Sequence, residues 1–143
     1  MPGSPADFAG GMARTTTSSG SPFEESVGFS RAVRTGDRVI VSGTAPIWPD
    51  GSCDVDPRAQ ATRCIEIISD SLGRLGSDLS EVVRTRMFLV DPADADAVGG
   101  AHAAAFGETR PAATMVVIAA LLDPRWRVEI EAESVIGSGN ETP

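Results

Sequence analysis

Along this chain the period of the apolar positions alternates between two and about 3.6, as strands give way to helices. Residues 28–34 and 38–43 are two short runs, the second (RVIVSG) β-branched, on either side of Thr35-Gly36-Asp37. That arrangement predicts a β-hairpin. Asp56-Pro57 then opens a helix, because the carboxylate can cap the first turn and proline sits where the N–H has no helical partner anyway. Gly76 closes it, and between them Ala61, Cys64, Ile65, Ile68, Leu72 and Leu75 recur at spacings of three and four. One face of that helix is core.

Residues 82–90 alternate, with Val83, Thr85, Met87 and Leu89 on one face and Val82, Arg84, Arg86, Phe88 and Val90 on the other, which predicts a strand. Asp91-Pro92 opens a second helix, alanine-rich over 93–106. Its Gly99-Gly100 pair costs about 1 kcal/mol per glycine against alanine, so an irregular middle is expected. Residues 114–122 (TMVVIAALL) show no polar alternation, so a strand there needs cover on both faces. Residues 126–136 alternate strictly, with Val128, Ile130, Ala132 and Ile136 opposed to Arg127, Glu129, Glu131, Glu133 and Val135. The order β-β-α-β-α-β-β is that of an α+β subunit with both helices on one side of a sheet. Its other face then needs a partner, most simply further copies of the same chain.

The ends change the picture little. Residues 1–22 are dominated by Gly, Ser, Thr, Pro and Ala and are expected to form a flexible arm. That leaves one domain over 23–136 and a fraying tail over 137–143. With 12 Lys and Arg against 20 Asp and Glu, the net charge is −8 and no basic cluster exists, which argues against nucleic acid as a partner. Cys53 and Cys64 lack the spacing of a disulfide framework or a zinc site. No secretory signal and no membrane-length apolar run is present, so a cytoplasmic protein with no membrane contact is expected.

Candidate chemistry is sparse. Glu129, Glu131 and Glu133 repel one another at spacing two on one strand face and call for cations, for which Arg84 and Arg86 are placed. His102 is the lone histidine, with no second ligand at metal spacing. Asp94 and Asp96 suit a solvated helix start. No G-x-S-x-G, G-x-G-x-x-G or Walker loop occurs, so neither a serine hydrolase nor a phosphate cradle is indicated.

Taken together, GFSRAVRTGDRVIVSGTAP, VVRTRMFLVDPADADAV and above all RPAATMVVIAALLDPRWRVEIEAESVI resemble the RidA family, also called YjgF/YER057c or L-PSP, over roughly residues 27–136. The resemblance implies a chorismate-mutase-like homotrimer with sheets facing inward, helices outside and small-metabolite clefts between subunits. It further implies cofactor-free hydrolysis of enamines and imines to a 2-oxo acid and ammonia. Glu129 of VEIEA takes the place of the carboxylate that holds water. Ser42-Gly43 matches the Ser-Gly of the second strand, and Phe29 the first-strand tyrosine. The carboxylate-clamping arginine position is Ala113, followed by Met115 two residues on, and the helix asparagine position is Gly99. The pocket is thus altered where an ordinary 2-imino acid would be anchored, since a bidentate guanidinium is the strongest common partner for a carboxylate. The resemblance therefore implies a small metabolite bound or transformed in a changed pocket. The alternative is an imine deaminase with Arg31 or Arg110 as surrogate clamp. The name endoribonuclease borne by some relatives fits poorly with the acidic charge and the single histidine.

Overall fold

The computed structural model describes residues 13–139. In chain order the elements are β1 (Arg14–Thr17), α1 (Pro22–Val27), β2 (Ala32–Thr35), β3 (Arg38–Thr44), α2 (Pro57–Arg74), β4 (Val82–Leu89), α3 (Ala95–Phe106), β5 (Ala112–Val117) and β6 (Val128–Val135). Single 3₁₀ turns, Leu79–Glu81 and Pro92–Asp94, lead into β4 and α3. The strands make one sheet in the order β1-β2-β3-β6-β4-β5. All pairs are antiparallel except β4 with β5.

Both long helices pack on one face of this sheet. Asp56 caps α2 by accepting from the Ala59 N–H at 2.9 Å, Pro57 takes the first turn, and Gly76 stands just past the end at φ 86°. Ile68 and Leu72 of α2, with Val98 and Phe106 of α3, meet Val39, Val41, Leu89, Val128 and Ile130 of the sheet in the core. Each large side chain buried in this way contributes about 1.5–3 kcal/mol. The Gly99-Gly100 pair leaves α3 unbroken, and the Arg58 guanidinium lies where a side chain at Gly100 would go.

Five expectations need correction. The flexible arm does not reach residue 22, because β1 adds to the edge of β2 and α1 begins at Pro22; residues 1–12 lie outside the described residues. Similarly, the start of the 137–143 tail is pinned by the Gly137 N–H on Glu81 Oε2 at 2.7 Å, and residues 140–143 lie outside the description. The strand expected over 114–122 covers only Ala112–Val117 and is an edge strand. Its apolar side chains are uncovered within the subunit, Val117 being 51% and Leu122 95% exposed. In β4, Val82 and Thr85 are both buried three residues apart, since a register shift against β6 inserts one residue and breaks the strict alternation. Lastly, Asp94 is buried rather than solvated, bridging to the Arg127 Nε and Nη2 at 2.9 Å each.

The start of β6 is set by Gln60, which is fully buried on α2. Its amide nitrogen donates to the Asp54 and Arg125 carbonyls at 2.7 and 2.9 Å, and its oxygen accepts from the Arg127 N–H at 2.7 Å. With Asp94 on the Arg127 side chain, this fixes where the next outward-facing residue, Glu129, begins its path. The face of the sheet away from the helices carries the expected ion ladder in part: Arg86 pairs with Glu131 at 2.7 Å, whereas Glu133 takes Arg38 at 2.9 Å. Such exposed pairs contribute about 0–1 kcal/mol each.

Candidate functional site

The corner where β2, β3 and β6 meet is shaped by a bulge. Val41 pairs with Ala132 but Thr44 with Ile130, so β3 carries one extra residue at Ser42-Gly43. Val41 and Thr44 therefore both face the core, while the bulged pair sits toward β6. Glu129 lies over it, and a Cβ added at Gly43 would overlap the Glu129 carboxylate oxygen. A side chain at position 43 would displace that carboxylate from the bulge. The Ser42 hydroxyl donates to the Ser30 carbonyl at 2.7 Å and the Ser42 N–H to the Arg31 carbonyl at 3.0 Å, which ties the bulge to the segment entering β2.

Arg31 completes the corner. Its Nη2 donates to the Gly43 carbonyl at 2.6 Å, and its guanidinium carbon stands 6.0 Å from the Phe29 ring centroid, within cation–π range. Among the described residues its Nε is buried without a hydrogen-bond partner. Burial pulls the Arg31 pKa down, opposed by the charges of Glu24 and Glu129. Burial in turn pushes the Glu129 carboxyl above its ordinary value; Arg31 offsets part of this and Glu131 adds to it. A half-buried carboxyl with a raised pKa next to a desolvated cation and a backbone bulge can bind a water and exchange a proton with it.

Among the residues expected to form a pocket, Phe29, Arg31, Ser42, Gly43 and Glu129 converge within one subunit. Arg110, Ala113 and Met115 do not join them, because β4 lies between β6 and β5, a separation of roughly 10 Å across two strand spacings. Arg110 is exposed and holds a left-handed backbone at φ 52°. Ala113 is exposed beside Thr85, and Met115 turns to the helix side against the core, near Gly99. His102 is also on the helix side, its Nε2 2.8 Å from the Thr85 hydroxyl, with burial lowering its pKa. Cys64 is enclosed beneath the sheet, where burial pushes its thiol far up. Among the described residues, no group of three metal-ligating side chains occurs, and no helix is long and apolar enough to cross a membrane.

Sequence reasoning missed Glu24. It is buried at the start of α1, its carboxylate accepting from the Ser19 N–H at 3.0 Å and from the Ser19 hydroxyl. The signal was present in Ser21-Pro22-Phe23-Glu24, a helix-start signature inside a stretch whose composition reads as unstructured. Beside it, a cavity of about 460 Å³ is lined by Thr17, Ser18, Ser21, Glu24, Phe29 and Ser30 among others.

A two-layer α+β subunit with this strand order and a Glu-over-Gly bulge defines the class. The model of the family described as Endoribonuclease L-PSP matches residues 20–136, and the chain belongs to that family. It is 40% identical over 121 residues to the protein SCO2049 of Streptomyces coelicolor, covering 84% of this chain and 90% of that one. It is 32% identical over 112 residues to the 2-iminobutanoate/2-iminopropanoate deaminase of Salmonella typhimurium, covering 75% and 86%. The crystal structure of Rv2704 from Mycobacterium tuberculosis, a member of the YjgF/YER057c/UK114 family, superposes with a TM-score of 0.80 at 43% identity, over 87% of this chain and all of that one.

Proposed function

We propose that this protein is a homotrimer that takes a small imine- or enamine-type metabolite in clefts between subunits and hydrolyses it without a cofactor. The observation that carries this reading is the Glu129 carboxyl seated over Gly43 beside Arg31, with its pKa raised by burial. A carboxylate so tuned is a better base near neutrality than a free one. It would take a proton from water as the oxygen bonds to the imine carbon and the imine nitrogen takes up a proton from solvent. The carbinolamine would then lose its C–N bond, Glu129 giving its proton to the departing ammonia while the hydroxyl releases its own proton to solvent and becomes the carbonyl of the product. Arg31, desolvated and with its Nε unpartnered, is the cation for a negative group on the substrate. The similarity to the Salmonella deaminase supports this chemistry, and the uncovered β5 edge supports the trimer.

Ala113 favours a second reading, binding without turnover of 2-imino acids, because the absent guanidinium forfeits charged hydrogen bonds worth about 1.5–3 kcal/mol each. One assay separates the two. 2-Aminoacrylate is generated from serine by a dehydratase, and pyruvate release is followed with and without the protein. Acceleration that disappears in Arg31→Ala and in Glu129→Gln establishes the hydrolase and both roles. No acceleration by the native chain retires the hydrolase reading, and acceleration retained in both variants retires the residue assignments. Light scattering tests the trimer, which a stable monomer would contradict.

A further inference from the structure

The cavity of about 460 Å³ between β1, α1 and the entry to β2 has no part in the hydrolytic scheme. Its walls bring together two glutamates, Glu24 and Glu25, the hydroxyl residues Thr17, Ser18 and Ser30, and the Phe29 ring, which is 37% exposed. Among the described residues no Lys, Arg or His lines it. Glu24 is buried and accepts from the Ser19 N–H at 3.0 Å, while Glu25 is exposed. Burial pushes the Glu24 carboxyl up, but hydrogen bonds from Ser19 and Ser18 and the charge of Arg31 outweigh that, so the group is ionised at neutral pH. Two negative charges on the wall of one cavity repel a carboxylate or a phosphate and draw a cation. The rest of the lining suits an ammonium: its three N–H donors can be shared between carboxylate and hydroxyl oxygens, while the charge and its alkyl stem lie against the ring.

We propose that this cavity is a subsite for a protonated primary amine, and that the metabolite hydrolysed at the corner carries such an amino group besides its reacting nitrogen. The second half rests on the hydrolytic reading above; the amine subsite itself does not. Phe29 and Ser30 join the two places. Both wall the cavity, while the Ser30 carbonyl accepts from the Ser42 hydroxyl of the bulge at 2.7 Å and the Phe29 ring stands 6.0 Å from the Arg31 guanidinium carbon. Arg31 is not among the lining residues, and its Nη2 is held on the Gly43 carbonyl at 2.6 Å. A substrate anchored by a cationic end in this cavity needs no guanidinium at Ala113.

The test is a calorimetric titration of the full chain with 1,4-diaminobutane, a stable diamine that holds no imine, and with butanoate as the anionic control. The diamine is expected to bind with a dissociation constant of about 1 mM, the range open to so small a probe, and butanoate is expected not to bind. Glu24→Gln should weaken the diamine roughly tenfold or more, the worth of a charged hydrogen bond, and Phe29→Leu about twofold to fivefold. Asp96→Asn, which removes an exposed carboxylate on α3, should leave it unchanged. No binding of the diamine, equal binding of butanoate, full affinity in Glu24→Gln, or an equal loss in Asp96→Asn overturns the proposal, the last marking mere attraction to an acidic chain. Should Glu24→Gln fail to fold, Glu25→Gln at its exposed position takes its place, and affinity unchanged both there and in Phe29→Leu refutes the subsite. In an active chain the diamine should raise the KM for 2-aminoacrylate at constant kcat, and no competition refutes the claim on the metabolite. A chain that binds the diamine but is inert towards 2-aminoacrylate keeps the subsite and loses the hydrolytic reading, whereas one that speeds pyruvate release yet takes up no diamine loses only the subsite.

Discussion

The two sides of the sheet's centre differ in what completes them. At the β2–β3–β6 corner, Arg31, the Ser42-Gly43 bulge and Glu129 are half-buried together within one chain, Arg31 donating to the Gly43 carbonyl and standing by the Phe29 ring. At the β5 edge, Ala112–Val117 and the segment after it expose apolar side chains to solvent, and Arg110 projects outward unpaired among the described residues. The corner brings its polar groups together within one subunit. The edge presents apolar surface that only another molecule can cover.

This contrast can be broken most sharply at the edge. Val116→Asp puts a charge on the outward side of β5, and the proposed trimer predicts that light scattering finds the variant as a single chain at concentrations where the native protein assembles. A trimer that persists would remove β5 from the interface. Next in size, Ala113→Arg puts a guanidinium at the position that the resemblance to the family implies as the substrate clamp. One charged hydrogen bond of about 1.5–3 kcal/mol corresponds to roughly a tenfold to hundredfold rise in kcat/KM for 2-aminoacrylate. An unchanged rate would mean that Arg31 alone serves as the anchor.

At the corner, Gly43→Ala puts a methyl group where the Glu129 carboxylate sits, and because that flexible end can move aside the cost is at the low end for overpacking, about 1 kcal/mol, visible as a slightly lower melting temperature. The equivalent small change at the edge, Ala113→Gly, should alter stability far less. The smallest effect expected is one of pH. Because the folded Glu129 carboxyl has a raised pKa, the folded state is favoured while that group is protonated, and the contribution is lost as pH rises through the folded value. Glu129→Gln should therefore melt higher than the native chain at neutral pH, with the gain vanishing in acid. A variant that melts lower at neutral pH would show that the carboxylate stabilises the corner instead of straining it.

Much of the fold was legible because burial imposes a period. Ile65, Ile68 and Leu72 on α2 and Val128, Ile130 and Ala132 on β6 are all buried, as their spacing requires. The misreadings occurred where one residue was inserted or where composition masked a local signal. The β4 bulge put Val82 on the core side and Val83 outside, a slip no alternation rule anticipates. The strand at residues 14–17 was hidden by threonines in an arm otherwise rich in Gly and Ser, although Thr15 and Thr17 turn to the sheltered side of the sheet.

For the site, the residue types were readable and their grouping was not. From the sequence alone follow the α+β order and the helix caps, since these depend on local pattern, and motif alone singles out Glu129 and Ala113 as positions to test. Only the tertiary structure could decide that Phe29, Arg31, Ser42, Gly43 and Glu129 share one corner while Arg110, Ala113 and Met115 lie beyond β4. Strand order and bulges arise from contacts between segments up to a hundred residues apart in sequence, and no local spacing encodes them. The same holds for Glu24: its helix-start signature is written in four residues, but only the fold buries its carboxylate on Ser19.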